Sequence, residues 1–372
     1  MSRQILITGG AGFIGSHLAD ALLAAGDRVR ALDNLSPQVH GDKRTAPEYL
    51  DDEVELVVGD VRDREAVDRA LQGVDVVYHL AAAVGVGQSM YRIAHYTDVN
   101  NHGTAVLLEA LAERPVERLV VASSMSVYGE GLYHDPQGRP VDIAERDRAR
   151  LQAGAWEPRG PDGDPLTPVP TPERKPPSLA SIYALSKFDQ ERMCLLVGAA
   201  YGIPTTALRF FNVFGTRQSL SNPYTGVLAI FASRILNGKR PAVFEDGEQR
   251  RDFVHVSDVA RACVLAAQRP AAAGQVFNIG SGHSYTVAEI AHRLARVMER
   301  EDLQPDITGK YRVGDIRHCF ADVARARAVL DFDPRVALED GLAELAAWLE
   351  RQVATDRADE ARAELAARGL TV

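Results

Sequence analysis

The sequence predicts an α/β protein in which a doubly wound parallel sheet carries a smaller C-terminal α/β lobe. Three observations lead there. A strand, a glycine-rich turn, a helix and a second strand open the chain between Ile5 and Asp33; strand-like and helix-like segments alternate as far as Gly215; and beyond Gly215 the alternation breaks. We therefore divide the chain into a first domain over residues 1–215, interrupted by an insertion at 130–180, and a lobe with a C-terminal helix over 216–372.

Ile5-Leu6-Ile7 reads as a short buried strand that runs into Thr8-Gly9-Gly10-Ala11-Gly12-Phe13-Ile14-Gly15. Ser16 to Ala25 has apolar residues at helical spacing and is stopped by Gly26, and Val29 to Leu32 is the next strand, ending at Asp33. Glycines there permit a tight turn and close approach of backbone to a pyrophosphate, and the helix N-terminus offers free N–H groups. The unit thus predicts a Rossmann-like dinucleotide site, although the glycines fit two registers, Gly9-Gly12-Gly15 and Gly10-Gly12-Gly15. A carboxylate at Asp33 suits ribose hydroxyls and repels a 2′-phosphate, so NAD is expected rather than NADP. Arg28 and Arg30 are read as solvated strand-edge charges.

Val54 to Val58 is a third strand ending in Gly59-Asp60-Val61, where Asp60 serves equally well as an adenine contact or as a cap for the helix Arg64 to Leu71. Val74 to Leu80 is a fourth strand, followed by Ala81-Ala82-Ala83, whose small side chains let a flat cofactor lie close. Tyr96 to Glu113 reads as a helix with Asn100 and Asn101 near its start, poor interior residues that a structural cap would explain. Arg118 to Ala122 is a fifth strand that delivers Ser123 and Ser124 to the carboxyl edge of the sheet. Residues 130–180, rich in Pro, Gly, Asp and Arg, are expected as a long loop that Trp156 pins to the body. Ser181 to Tyr201 is a long helix and Thr205 to Phe211 a sixth strand, ending at Asn212. In the lobe, Tyr224 to Leu236 and Asp258 to Gln268 read as helices and Gln275 to Ile279 as a strand; Thr286 and Glu289 form a capping box for a helix to Glu299. Leu338 to Leu365 reads as a solvated amphipathic helix, broken near Thr355.

Composition narrows the function classes. Of 372 residues, 46% are hydrophobic and 25% charged, as in an ordinary globular protein, and a net charge of −9 argues against nucleic acid or an anionic membrane as partner. No apolar run approaches the roughly 20 residues of a membrane span. Cys194, Cys263 and Cys319 lie far apart, without the spacing of a zinc motif or a disulfide framework, which suits the cytoplasm.

Tyr183 and Lys187 lie four residues apart on one helix and therefore on one face. A phenol, with a pKa of about 10, acts as a base near neutrality only if a cation stabilises the phenolate. Lys187 with a positively charged nicotinamide would do so, and Ser124 would hold the substrate hydroxyl or the carbonyl it becomes.

With Asp60-Val61, His79-Leu80-Ala81-Ala82, Asn100, Ser123-Ser124 before Val127-Tyr128-Gly129, Tyr183-Ala184-Leu185-Ser186-Lys187 and Arg209-Phe210-Phe211-Asn212-Val213 added to the glycine turn, the chain resembles an extended short-chain dehydrogenase/reductase of the nucleotide-sugar epimerase and dehydratase family. The resemblance leaves out the 130–180 insertion and the last twenty or so residues. It implies bound NAD, contacted by Gly9, Gly12, Phe13, Ile14, Gly15, Asp33, Asn34, Asp60, Val61, Leu80, Ala81, Ala82, Asn100, Tyr183, Lys187 and Phe210. It further implies Ser124, Tyr183 and Lys187 as catalytic residues, and a nucleotide-diphosphate sugar held between the lobes by Ser124, Tyr183, Asn212, Arg251, Arg312 and Asp315. A homodimer formed through the helices of Asn100 to Ala112 and Tyr183 to Ala200 is also implied.

Dehydratases similar to this chain carry an Asp-Glu pair directly after the catalytic hydroxyl residue; here Met125 and Ser126 stand there, so elimination of water lacks its acid and base. C4 epimerisation is the resulting expectation, with a dehydratase and an NAD-binding sensor or scaffold as the other readings. Residues 181–192 and 219–227 resemble the branch of the family that acts on dTDP-L-rhamnose, with UDP-glucose or UDP-glucuronate as the alternative. The insertion lacks cysteine, so a metal-free flap over the sugar site is expected.

Overall fold

The computed structural model describes residues 2–42, 44–143 and 145–371. Strand β1 (Gln4–Thr8) is wholly buried, and the turn after it leads into helix α1 (Phe13–Ala24) and strand β2 (Arg28–Asp33). There follow β3 (Glu55–Val58), α2 (Arg64–Ala70), β4 (Val76–His79), α3 (Gly103–Glu113), β5 (Arg118–Ser124), α4 (Ile182–Tyr201) and β6 (Thr205–Phe210). A short strand β7 (Asn212–Phe214) and helix α5 (Val227–Leu236) lead into the lobe. The chain then returns to the sheet through β8 (Phe253–His255), α6 (Val256–Gln268) and β9 (Val276–Ile279).

The main sheet has seven parallel strands in the order β9-β6-β5-β4-β1-β2-β3. Strand order reverses at β1, so the crevice beyond β1 and β4 is the topological switch point where such sheets take ligands. Two cores cover its faces. Leu18 and Leu22 of α1 pack with Val259, Ala262 and Cys263 of α6 on one, and Val67, Leu107, Leu111 and Cys194 of α2, α3 and α4 fill the other.

Several expectations change. Residues 253–280 lie past the Gly215 boundary, yet β9 is hydrogen-bonded to β6 and α6 packs against α1. The seventh strand thus arrives after an excursion through the lobe, which its own sequence pattern does not reveal. The helix expected from Tyr96 begins with a π-helical turn (Thr97–His102) that holds Asn100 buried. Asp63, not Asp60, caps α2 by accepting from Glu65 N at 3.0 Å. Arg30 is not solvated: it pairs with Glu55 at 2.8 Å and donates to the carbonyls of Ala70 and Gln72.

The C-terminal segment is two helices, Leu338–Leu349 and Ala358–Ala367, and is packed rather than solvated. Leu342, Leu345 and Leu349 lie in the lobe core with Phe231 and Leu294, and Leu365 covers Gly87. The capping box at Thr286 and Glu289 forms as read.

The described residues of 130–180 form a three-stranded antiparallel sheet (Leu132–His134, Pro140–Asp142, Thr167–Val169) and a short helix (Arg148–Gln152), where a loop was expected. Trp156 is only half-buried, and the anchor is its neighbour Glu157, which bonds Arg317 Nε at 2.9 Å and His318 Nε2 at 3.0 Å. Arg146 reaches Glu245 at 2.7 Å and Glu130 at 3.1 Å, and Arg317, 1% exposed, reaches Glu245 at 2.9 Å. Ion pairs between insertion and lobe therefore fix this segment. Replacing Arg317 with Met, which fills the space without the charge, should lower stability by about 3 kcal/mol in equilibrium urea unfolding, because Glu245 stays buried with half its compensation gone.

Candidate active site

At the carboxyl ends of β1, β2, β4, β5 and β6 lies a cavity of about 430 Å³, within the size range of small-molecule sites. Gly9, Gly12, Phe13, Ile14, Gly15, Asp33, Asn34, Asp60, Val61, Leu80, Ala81, Ala82, Ser124, Tyr183, Lys187, Phe210 and Asn212 all line it. Asn100 does not. Its buried amide accepts from Ala83 N at 2.7 Å and donates to Ala83 O at 3.1 Å and to Ser186 Oγ at 2.9 Å, so it ties the alanine run to α4 from behind.

The turn needs glycine for separate reasons at separate positions. Gly9 has φ +73°, and a Cβ there would sit 2.9 Å from Ala81 N; at Gly10 it would meet Ala31 Cβ at 2.5 Å, and at Gly15 the Gly9 carbonyl at 2.2 Å. Both glycines of the ambiguous register are thus required, the first by the turn and the second by packing on β2. Gly12 differs, since a Cβ there would meet only Gly9 O at 3.3 Å and would otherwise occupy space in the cavity. Asp33 closes the turn by accepting from Ala11 N at 3.1 Å and Leu35 N at 2.9 Å. Asp60, held well below the usual carboxylate range by its hydrogen bonds from Arg62, also accepts from Asn34 at 2.9 Å on the cavity wall. A backbone cradle open at Gly12, with carboxylates at the tips of adjacent strands, fits NAD.

Ser124 ends β5 and accepts from Ser126 Oγ at 2.9 Å and Ser126 N at 3.2 Å. Ser181 caps α4 by accepting from Ala184 N at 3.1 Å, which sets the helix phase that turns Tyr183 and Lys187 to the cavity. Tyr183 N donates to Ser89 Oγ at 3.0 Å, and the Tyr96 ring meets the phenol edge-on at 6.5 Å. Burial raises the Tyr183 pKa, with the Ser124 hydroxyl acting the other way. Burial also pushes the Lys187 ammonium down to about 8.

Arg251, Arg312 and Asp315 come together but outside the cavity lining. Arg312 Nη2 lies 3.2 Å from Asp315 Oδ2 and Arg251 Nη2 3.7 Å from Asp315 Oδ1. Buried polar atoms without a partner among the described residues include Arg312 Nε, and also Asn212 Oδ1 and Gln218 Oε1, which belong to cavity residues. Sequence reasoning missed Gln38, Gln88, Gln218 and Asn222, which line the cavity from three separate segments. No local signal marks them. Gln190 was missed too, although it sits one helical turn beyond Lys187 and bonds it.

Residues 5–280 match the NAD dependent epimerase/dehydratase family, and the chain belongs to it. Among curated relatives, the dTDP-L-rhamnose 4-epimerase of Burkholderia thailandensis is 36% identical over 94% of this chain and 96% of its own. A UDP-glucose 4-epimerase of Mycolicibacterium smegmatis is 33% identical over 91% and 96%. Among solved structures, the UDP-glucose 4-epimerase of Thermotoga maritima with UDP-glucose superposes with TM-score 0.77 at 31% identity, covering 94% of this chain and 99% of that one. The Thermus thermophilus UDP-glucose 4-epimerase complex with NAD gives 0.74 at 31%, covering 94% and 100%. The chain is thus an NAD-dependent enzyme of this family. No helix among its described residues is long and apolar enough to cross a membrane.

The glycines of the turn divide between fold and cofactor. Gly12→Ala should keep the melting temperature while weakening NAD binding roughly tenfold or more, a loss of about 1.4 kcal/mol, measured by calorimetric titration of cofactor-stripped protein. Gly15→Ala should lower both.

Proposed function

We propose that this protein interconverts the C4 epimers of a nucleotide sugar, with dTDP-L-rhamnose as substrate. The observation that carries the reading is the convergence of Ser124, Tyr183 and Lys187 on one cavity beside the glycine turn, with Met125 and Ser126 where an elimination would need an acid and a base. Tyr183 takes the proton of the C4 hydroxyl, and Ser124 holds the same oxygen as it becomes a carbonyl. Lys187 supplies the positive charge the phenolate needs. Bound NAD, which the glycine turn and Asp33 would hold, would supply the hydride acceptor and donor for C4, so that no net oxidation would result. The unpartnered oxygens of Asn212 and Gln218 are suited to donors on the sugar or base, and Arg251 and Arg312 to the diphosphate. A 6-deoxysugar suits this chemistry, which leaves C6 untouched, and the similarity to the Burkholderia enzyme over nearly both chains favours it over UDP-glucose and UDP-glucuronate.

Proton NMR of enzyme with dTDP-L-rhamnose should show a second 6-deoxysugar, epimeric at C4, growing to equilibrium without NADH absorbance at about 340 nm. Tyr183→Phe should slow this by about 10²-fold or more while retaining NAD, the usual scale of general acid–base catalysis. If dTDP-L-rhamnose stays unchanged while UDP-glucose is converted, the substrate assignment is wrong and the C4 chemistry stands.

We infer a cytoplasmic homodimer, supported by three buried free cysteines and by an apolar surface formed by Ile93 and by Leu185 and Leu196 of α4, each more than 40% exposed. Light scattering should give twice the 40.4 kDa chain mass, and Leu196→Glu should shift it toward the monomer.

A further inference from the structure

Lys187 is 3% exposed, and its ammonium donates to Gln190 Oε1 at 2.7 Å. The far side of that amide decides which way it faces. Gln190 Nε2 lies 2.8 Å from Thr104 Oγ1 and 3.5 Å from Ala81 O. The Thr104 hydroxyl gives its own proton to Asn100 O at 2.5 Å, so toward Gln190 it offers lone pairs, as the Ala81 carbonyl does. Both neighbours call for a donor. The amide nitrogen must face them, and its oxygen is left for Lys187.

His79 completes the buried network. Its Nε2 lies 2.9 Å from Thr104 Oγ1 and 3.2 Å from Gln190 Nε2, and its Nδ1 lies 2.8 Å from Thr8 Oγ1, which accepts from Ala81 N at 3.2 Å. Thr8 ends β1 and His79 ends β4, so the amide is oriented by the two strands that flank the switch point.

We propose that Gln190 is a positioning residue for the reaction, holding the Lys187 ammonium in place and charged through a neutral acceptor whose orientation Thr104 and His79 impose. The proposal rests on the catalytic reading of Tyr183 and Lys187 given above. The other groups facing Lys187 cannot take over this task. Glu191 is committed to Arg209 at 2.7 Å and to Ser123 at 2.7 Å. Burial pushes the Cys194 thiol up to about 12 and the His79 imidazole down to about 3, so both are neutral, and Tyr183 is a phenol until it reacts. An ammonium whose pKa burial has pushed down to about 8 is charged below that pH and loses its charge as pH rises through it. A hydrogen bond to the charged form raises that pKa, and losing it moves the loss of charge to lower pH.

The chain has five lysines, Lys43, Lys175, Lys187, Lys239 and Lys310, few enough for carbon NMR titration of ε-13C-lysine in the NAD-loaded protein, with Lys187 assigned by its own substitution. Gln190→Met, similar in volume without the acceptor, should lower the Lys187 midpoint by about one pH unit, and Gln190→Glu should raise it by a similar amount. The alkaline limb of kcat should move the same way in each, with KM little changed. If the Met variant fails to fold, Thr104→Val, which keeps Gln190 but frees its amide, should lower the midpoint by a smaller amount. Midpoints coinciding with wild type in an active enzyme would overturn the role of Gln190 alone, and so would midpoints that shift while the kcat profile stays in place. Shifted midpoints in a protein inert toward every nucleotide sugar would overturn the reading of the reaction, and this role with it.

Discussion

A lysine charge buried at the carboxyl edge of a parallel sheet is the constraint around which this molecule is arranged. Taking an ammonium out of water costs several kcal/mol, and the protein offsets that cost with polar groups drawn from several elements. Gln190 supplies the acceptor, Thr104 and His79 orient it, and Thr8 ties them to the glycine turn. Asn100 works beside them, bonding both the N–H and the C=O of Ala83 and reaching Ser186 on α4. The π-helical turn at Thr97–His102 lets a residue type poorly suited to a helix interior place its amide there.

A second set of buried charges does a different task at the far end of the site. Arg146, Arg317, Glu130 and Glu245 are almost wholly enclosed, and they join the insertion to the lobe. Arg146 also donates to the Asp315 carbonyl at 3.1 Å and, with Arg312 and Arg251, holds the Asp315 carboxyl below its ordinary range. The insertion thereby adds a third cation, after Arg312 and Arg251, beside the loop proposed to meet the diphosphate. Such pairs favour one arrangement more than they add stability, since their desolvation cancels most of the attraction.

The two domains are interleaved rather than sequential. The pairing of β7 with β8 places Asn212 opposite Phe253, and both line the cavity. The last helix adds a contact from the lobe side, where Glu364 accepts from Tyr91 at 2.8 Å and from Tyr224 at 3.0 Å. Gln38 bonds Gln88 at 3.2 and 3.3 Å and Asn222 at 3.1 Å, and so links the first domain to the loop that leads into the lobe.

What the sequence by itself determined is local. The glycine turn with Asp33, the spacing of Tyr183 and Lys187, Ser124 at a strand end and the capping box at Thr286 each rest on residues within a few positions of one another, where geometry follows from helix and strand period. The absence of an acid pair at Met125 and Ser126 is legible in the same way. Only the tertiary structure decided where β9 joins the sheet, because a strand's pattern does not name its neighbour. It also decided that the Pro- and Gly-rich insertion is ordered, because its order comes from charges more than 80 residues away in the chain, at Glu245, Arg317 and His318. The partner of Lys187 falls between these cases: Gln190 is one turn away on the same helix, but the reason its oxygen rather than its nitrogen faces the ammonium lies on β1, β4 and the first turn of α3, and appears only once those elements meet.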